Sequence, residues 1–232
     1  MRVAVVRFPA SNCDMDAVTS LKRVKGAEPQ LVWHEDPSLA DYDAVILPGG
    51  FSFGDSLRAG AIAARSPAIS AVREMAGRGL PVLGICNGFQ VLVEAELLPG
   101  ALLRNAGLKF VCKWVSVAVE NPDTPFTRKI AKGSVLRMPI AHGEGRFYLQ
   151  ERELRSLEKS GRVVFRYTDE NGVASRSANP TGTADNIAGI SNREGNVVGL
   201  MPHPERASDP LLSPFHSSDG MMVFASLVGG GS

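Results

Sequence analysis

The stretch Val82–Gln90 reads VLGICNGFQ and predicts a strand, a sharp turn and a helix within nine residues. The apolar run Val82–Ile85 is typical of a short buried strand. A helix is predicted over Gly88–Glu94, so the chain changes direction at Cys86. Glycines lie two residues before and two residues after this cysteine, which is the spacing of a nucleophile elbow. An elbow of this kind is built on a parallel sheet, with the cysteine at the carboxyl end of a strand.

The segments before this stretch continue the same alternation of strands and helices. Helices are predicted from Asp14 or Asp16 to Lys25, over Leu57–Ala64 and over Ile69–Ala76. Strands are predicted at Val3–Phe8, Gln30–His34 and Ala44–Leu47. This β-α-β rhythm predicts an α/β fold, with an open, mostly parallel sheet and helices on both faces, as in flavodoxin-like proteins.

The second half of the chain has a different pattern, with strands that lack good helices between them. Extra antiparallel strands, added to the sheet, would explain this pattern. A final helix is predicted at Ser218–Val228. We therefore expect one domain over residues 1–228 and a flexible tail over 229–232, GGGS. The predicted strands are Lys109–Glu120, Val135–Ile140, Val163–Tyr167 and a hairpin of Ile187–Ser191 with Val197–Met201.

Composition excludes several classes of function. The 232 residues carry a formal net charge of +1 and include 44% apolar residues, so neither nucleic acid nor a membrane is an expected partner. The three cysteines form no CxxC pair, so no metal site is expected. Free thiols, and an N-terminus without the pattern of a secretory signal, favour the cytoplasm. No Walker or dinucleotide loop occurs, so we expect no cofactor in this chain.

Cys86 itself has the surroundings of a reactive thiol. It would lie at the start of a helix, where free N–H groups and the positive end of the helix dipole favour a thiolate. The N–H of Asn87 could donate to an oxyanion, as in acyl transfer. The alternative, a buried structural cysteine, is the commoner role of cysteine in general.

A nucleophile needs a base, and His203 is the best candidate among four histidines. It lies in the segment Pro202–Glu205, where two prolines favour an extended chain. In an extended chain residues two apart project to the same side, so Glu205 could orient the imidazole of His203. A loop histidine beside a solvated glutamate is the alternative.

A third element is the loop PGGFSFGD at 48–55, again after a predicted strand. Its paired glycines would let the backbone approach a ligand closely, so Gly50 or Phe51 could be a second oxyanion donor. A plain strand-to-helix turn explains this loop equally well.

Together, the glycine loop, the Gly-x-Cys-x-Gly-x-Gln elbow and the His-Pro-Glu segment, in this order, resemble the class I (triad) glutamine amidotransferases. The resemblance covers nearly the whole chain. It implies glutamine as substrate and a catalytic triad of Cys86, His203 and Glu205. It also implies that Gln90 helps to shape the substrate pocket.

Four further segments are similar to those members of the family that serve as the glutaminase subunit of a purine-biosynthesis synthetase. The implied partners are a large synthetase subunit, which uses ATP and Mg²⁺, and a small bridging subunit. Ala10 departs from the glycine expected at its position. The segments are RFPASNCD at 7–14, FSFGD at 51–55, PIAHGEG at 139–145 and SDG at 218–220.

Two other functions remain as alternatives. A DJ-1-like hydrolase or an intracellular cysteine peptidase would also place Cys86 on an elbow, but the base of such enzymes usually lies nearer in sequence than the 117 residues (203 minus 86) found here. A flavodoxin-like binding module would have no need for the triad.

The segment HGEGR at 142–146 is left without a role in the triad. Its two glycines predict a turned or mobile loop outside the core, with ionisable side chains that stay exposed. We hypothesise that His142, Glu144 and Arg146 face the partner subunit, although a solvated turn is the alternative. Cys13 and Cys112 are expected to be packing residues.

Overall fold

The computed structural model describes residues 1–229; the last three residues of the predicted tail, 230–232, lie outside the described residues. The α-helices of this part are α1 (Asp14–Lys22), α2 (Pro67–Gly77), α3 (Asn87–Glu94), α4 (Glu151–Lys159) and α5 (Met221–Leu227). The strands are β1 (Arg2–Arg7), β2 (Glu28–Trp33), β3 (Ala44–Leu47), β4 (Val82–Ile85), β5 (Ala101–Leu103), β6 (Val111–Val119), β7 (Val135–His142), β8 (Arg146–Tyr148), β9 (Val163–Thr168), β10 (Ile187–Ser191) and β11 (Val197–Leu200).

Nine of these strands form one sheet in the order β2-β1-β3-β4-β11-β10-β9-β6-β7. The first five are mutually parallel. The remaining four join by antiparallel pairs. This sheet confirms the predicted α/β class, with a parallel half and antiparallel strands contributed by the second half of the chain.

The central parallel strands are the most deeply buried part of the molecule. Every residue of β3 and β4 is buried, and so are the four inner residues of β1. Strands covered on both faces are apolar along their whole length rather than at alternate positions, which explains why these were readable from sequence. Within residues 1–229, no helix has the length and apolar character needed to cross a membrane.

The helix predicted over Leu57–Ala64 is wrong. Leu57 and Gly60 have φ values of 68° and 82°, which a right-handed helix does not contain. Gly60 instead packs against α3, where a Cβ atom would lie 2.7 Å from the backbone nitrogen of Val91. Only a short 3₁₀ turn, Ala63–Arg65, remains of the predicted helix. Its alanine content predicted helix, but close backbone packing overrode that propensity.

The second half contains a helix that was not predicted. Helix α4 is highly charged and buries only Leu157, with Leu154 partly buried against the core. Its two leucines lie three residues apart on one face among six charged residues, an amphipathic pattern that the sequence analysis overlooked. The small pair of strands β5 and β8 was also missed, because three-residue strands leave almost no alternation to detect.

The direction of the strands positions the site. Strands β1, β3, β4 and β11 are parallel, so their carboxyl ends meet at one edge of the sheet, where ligands bind in open α/β folds. The antiparallel pairs from β11 through to β7 bring the end of β7 to that same edge. Five loops that are distant in sequence therefore surround Cys86.

Candidate active site

Cys86 occupies a strained turn between β4 and α3. Its φ of 50° and ψ of −102° lie outside the regions that most residues adopt. The flanking glycines make this turn possible, because a Cβ atom at Gly84 would lie 2.6 Å from the carbonyl oxygen of Gly88, and one at Gly88 would lie 2.0 Å from that of Leu47. The backbone N–H of Cys86 donates to the carbonyl of Leu200 at 2.8 Å, which ties the elbow to β11.

His203 and Glu205 form a buried pair immediately after β11. Nδ1 of His203 lies 2.5 Å from Oε1 of Glu205, and each residue is only 2% exposed. Burial is the largest single influence and opposes the charged imidazolium, but the negative charge of Glu205, the charge of Cys86 and the hydrogen bonds to the Cys13 and Cys86 thiols together outweigh it. The pKa of His203 is therefore well above its ordinary value, so the ring carries a proton at neutral pH.

The route by which these two side chains meet differs from the sequence prediction. His203 is extended, but Pro204–Ala207 form a turn of 3₁₀ helix rather than an extended segment. The turn is held by hydroxyls, since Ser20 and Ser208 both donate to the carbonyl of Glu205, at 3.1 and 2.9 Å. Proline at the first helical position starts a helical turn as readily as it maintains an extended chain.

The predicted oxyanion donors lie around the cysteine. Asn87 is the first residue of α3, so its N–H has no acceptor within the helix. The N–H of Phe51 already donates to the carbonyl of Ala10 at 3.1 Å, which leaves Gly50 as the better candidate of the two loop residues. A Cβ atom at Gly50 would lie 2.7 Å from Cα of Ser11, so the loop requires glycine there.

Side-chain amides connect three segments around Cys86. The Nδ2 group of Asn87 donates to Oε1 of Gln90 at 2.9 Å, and its Oδ1 accepts from the backbone N–H of Ser52 at 3.1 Å. Gln90 in turn donates through Nε2 to the carbonyl of Glu144 at 2.7 Å. Asn87 and Gln90 thus hold the glycine loop and the loop after β7 against the elbow.

Two neighbouring cavities open onto Cys86. One, of about 290 Å³, is lined among others by Gly50, Phe51, Gln90, His142 and Glu144. The other, of about 260 Å³, contains His203 and Cys13 in its wall together with Cys86. In residues 1–229 no hydrogen-bond partner reaches Nε2 of His203, so that nitrogen remains available to a substrate.

His142 and Arg146 correct the expectation that the HGEGR segment stays outside the core strands. His142 ends β7 and is 3% exposed, and Arg146 begins β8. The imidazole of His142 packs so closely over Gly145 that a Cβ atom there would lie 2.0 Å from Cε1. Burial and the charge of His203 lower the pKa of His142 to about 3, so its ring is neutral. His142 and Glu144 belong to the wall of the cavity.

Sequence reasoning missed several groups around the site. Cys13 is buried as predicted, but its Sγ lies 3.8 Å from Nδ1 of His203. The prediction that Cys112 is a packing residue is wrong, because it is exposed and lines the same cavity as Cys86. Tyr167 is fully buried, and burial together with the charge of Cys86 raises the pKa of its hydroxyl. Cys13 reaches the site from the start of α1 and Tyr167 from β9, so neither lies next to Cys86 or His203 in the sequence.

Cys13, His203 and Glu205 also form the one group of potential metal ligands within residues 1–229, with their ligand atoms within 4.8 Å of one another. The short contact between His203 and Glu205 is a hydrogen-bonded pair, which already uses the nitrogen that a metal would need. This use of Nδ1 favours proton transfer over metal binding as the chemistry of the group.

Cys86 is expected to be the thiol that a glutamine-analogue chloroketone alkylates at neutral pH. Burial raises the pKa of Cys13, which keeps that thiol protonated and unreactive. Cys112 is exposed but lies on β6, away from the helix N-terminus that favours a thiolate at Cys86. Peptide mapping by mass spectrometry would locate the label, and glutamine should protect against it. Iodoacetamide, which needs no binding site, should label Cys112 as well; labelling of Cys13 by the analogue would contradict the assignment.

Comparison with known proteins gives consistent matches over the full described chain. Residues 1–228 match the family described as the CobB/CobQ-like glutamine amidotransferase domain. The chain is 54% identical to phosphoribosylformylglycinamidine synthase subunit PurQ of Thermomicrobium roseum, over 98% of this chain and 95% of the relative. It is 52% identical to the same subunit of Aquifex aeolicus, over 98% and 99%. The solved structure of PurLQS from Thermotoga maritima superposes with a TM-score of 0.85 at 46% identity, covering 98% of this chain and 97% of that one.

Proposed function

This chain belongs to the CobB/CobQ-like glutamine amidotransferase family, and we propose that it is the glutaminase subunit of phosphoribosylformylglycinamidine synthase. It releases ammonia from glutamine for an enzyme that converts formylglycinamide ribonucleotide to its amidine. The observation that carries the chemistry is the buried His203–Glu205 pair, which shares a cavity with Cys86 on its elbow.

The first half of the reaction forms a thioester. Cys86 Sγ attacks the side-chain amide carbon of glutamine, and a carbon–sulfur bond forms while the carbonyl becomes an oxyanion. The N–H groups of Gly50 and Asn87 bind that oxyanion. His203 then donates its Nε2 proton to the amide nitrogen, the carbon–nitrogen bond breaks, and ammonia leaves.

The second half restores the enzyme. His203, now neutral, takes a proton from water, and the resulting hydroxide attacks the thioester carbon. The carbon–sulfur bond breaks, so glutamate leaves with Cys86 as thiolate and His203 protonated. Glu205 keeps Nδ1 of His203 protonated throughout and stabilises the imidazolium that each cycle requires.

The remaining chemistry belongs to partner subunits. A large synthetase subunit would bind ATP and Mg²⁺ and use the ammonia, and a small subunit would bridge the two. No cofactor is proposed for this chain, and its place would be the cytoplasm, where purine synthesis takes place. The family match gives no support to a DJ-1-like hydrolase, a peptidase or a binding module.

Assembly with the partner subunits is expected to raise glutaminase turnover about tenfold or more, which corresponds to roughly 1.4 kcal/mol of transition-state stabilisation. Uncoupled hydrolysis would waste glutamine, so the free subunit should be slow. The measurement is glutamate release by this chain alone and after addition of both subunits, ATP, Mg²⁺ and formylglycinamide ribonucleotide. No glutamate under either condition would sink the proposed function. Full turnover by the free chain would instead refute coupling.

The interface hypothesis now rests on Arg146, since His142 and Glu144 line the cavity. In the same assembled enzyme, Arg146→Ala is expected to lower glutamine-dependent synthesis while synthesis from added ammonia is retained. Lys159→Ala, on the exposed helix α4, is the matched control. Normal glutamine-dependent synthesis by the Arg146 variant would show that this residue has no coupling role.

A further inference from the structure

Cys13, His203 and Glu205 bring three different metal-binding atoms together in the interior. The Cys13 sulfur, a ring nitrogen of His203 and a carboxylate oxygen of Glu205 lie within 4.8 Å of one another. None of the three residues is more than 2% exposed. The triad explains His203 and Glu205, but no step of the mechanism uses Cys13. A buried thiol beside the catalytic imidazole therefore needs an explanation of its own.

The separation of the thiol and the ring is close to that of two zinc ligands. Sγ of Cys13 lies 3.8 Å from Nδ1 of His203. With Zn–S of about 2.3 Å and Zn–N of about 2.1 Å, a tetrahedral site places its sulfur and nitrogen about 3.6 Å apart. A Cβ atom at Gly49 would lie 3.2 Å from that sulfur and 2.6 Å from Cε1 of His203, so the same loop backbone holds both groups in place.

The carboxylate of Glu205 has one oxygen left over. Its Oε1 atom lies 2.5 Å from Nδ1 of His203, with a proton between them. Its Oε2 atom is buried and has no hydrogen-bond partner among residues 1–229. Buried polar atoms are nearly always paired, so this oxygen is an independent sign that a ligand binds here. Nitrogen and oxygen ligands of zinc stand about 3.4 Å apart, so a metal would take the place of the shared proton and widen this contact.

The three donors select the kind of metal ion. Thiolate and imidazole suit Zn²⁺, which also accepts a carboxylate, whereas Mg²⁺ prefers an octahedral shell of oxygens. Cys13 and His203 line the 260 Å³ cavity that opens onto Cys86, so an ion has a path to them. A water molecule in this cavity would supply the fourth ligand of a tetrahedral site.

Protons compete with a metal for this cluster. Burial raises the pKa of the Cys13 thiol, and the raised pKa of His203 keeps its ring protonated. Zinc must therefore displace one proton from each residue, which makes its binding weaker than at a resident zinc site. The hydrogen-bonded pair of His203 and Glu205 is accordingly the resting state of the cluster.

We propose that Cys13, His203 and Glu205 form an inhibitory binding site for Zn²⁺. On binding, the S–H proton of Cys13 and the Nδ1 proton of His203 pass to water, and zinc bonds to Sγ, Nδ1 and an oxygen of Glu205. No atom is oxidised or reduced. His203 then keeps only its Nε2 proton, and it cannot give that proton to the leaving ammonia without becoming an imidazolate anion. The loss of activity rests on the proposed function, whereas the binding itself does not.

Cobalt, which occupies zinc sites and gives them colour, provides the direct test. The protein is the metal-free full chain with Cys86→Ala and Cys112→Ala, so that Cys13 is its one thiol. Addition of Co²⁺ should produce a near-ultraviolet band from thiolate-to-cobalt charge transfer, together with the strong visible bands of tetrahedral cobalt. Zn²⁺ should abolish these bands, and excess Mg²⁺ should not. Absence of the thiolate band from this protein would overturn the proposal.

Inhibition of the native chain is the second measurement. Zn²⁺ should stop glutamate release by the wild-type chain, and a chelator should restore it. Cys13→Ser, whose hydroxyl is a poor zinc ligand, should raise the half-inhibitory zinc concentration at least about tenfold, since even changes outside the ligand set cost about 10- to 100-fold in metal affinity. Cys112→Ala removes an exposed thiol of the same cavity and is the matched control, which should leave that concentration unchanged.

The outcomes are separable. Equal zinc sensitivity of the Cys13→Ser variant and the wild type would overturn the assignment, and so would a loss of sensitivity in Cys112→Ala alone. Failure of the metal-free wild-type chain to release glutamate would overturn the proposed function instead. The cobalt spectrum would then still decide whether the metal site exists, because it needs no activity.

Discussion

Replacing Cys86 with alanine is expected to lower glutamate release by roughly 10⁴-fold or more, because the thioester route loses its nucleophile. Cys86 is 4% exposed and its side chain is small, so the fold should survive the change. In the assembled enzyme, synthesis from added ammonia should persist, since that reaction bypasses this chain. The measurement is a pair of assays on one preparation, with glutamine and with ammonium salt.

Cys112→Ala is the matched control, because it removes an exposed thiol from the same cavity wall without removing the nucleophile. It should retain glutaminase activity. Residual activity of the Cys86 variant within about tenfold of wild type would exclude the thioester mechanism.

Glu205→Gln is expected to reduce glutaminase activity by roughly 10³-fold, since the amide can still contact His203 but no longer stabilises its positive charge. In the wild-type protein the charge of Glu205 is the largest of the effects that together overcome burial and keep the pKa of His203 raised. Without that charge, burial is opposed only by the weaker effects of the Cys86 and Cys13 thiols, so the pKa of His203 falls. A smaller fraction of His203 would then be present as the imidazolium that protonates the leaving group.

Glu205→Gln is also expected to change how the free energy of unfolding depends on pH. A raised His203 pKa adds stability that is complete below about pH 6.5 and is lost as pH rises through the folded pKa. In the variant the pKa of His203 is lower, so this contribution to stability shrinks. Urea unfolding should therefore show a loss of about 3 kcal/mol below pH 6 that becomes smaller at alkaline pH. Glu194→Gln, in the exposed turn between β10 and β11, is the control; a loss independent of pH would refute this account.

Strand positions and the elbow were accessible from sequence because both depend on local pattern. Strands β3 and β4 begin and end at the predicted residues, since central strands read as uninterrupted apolar runs. The glycines around Cys86 were recognisable because their spacing follows from the close backbone contacts of the turn. A Cβ atom at Gly84 or Gly88 would collide with a backbone carbonyl, so only glycine fits at either position.

Elements that depend on packing with distant segments were predicted less well. The alanines of 57–64 favour a helix, yet the contact of Gly60 with α3 prevents one. Helix α4 exists although its own sequence offers the core little more than Leu157. At 57–64 a contact from elsewhere in the chain outweighs local propensity, which is a weak preference of less than about 1 kcal/mol per residue. The residues of α4, chiefly Glu, Arg, Leu and Lys, favour a helix by themselves.

Sequence by itself determined that this chain has an α/β fold, a cysteine on an elbow and a His-Pro-Glu segment of the amidotransferase type. It also identified the residues of the proposed triad, because short-range spacing reflects local geometry. Only the tertiary structure decided that His142 and Glu144 line one cavity, that Cys13 lies beside His203 and that Cys112 is exposed. Those facts depend on parallel strands bringing together loops that are up to 190 residues apart, as Cys13 and His203 are. Local sequence does not record which distant charges will share a cavity, and burial among such charges sets the pKa values on which the chemistry depends.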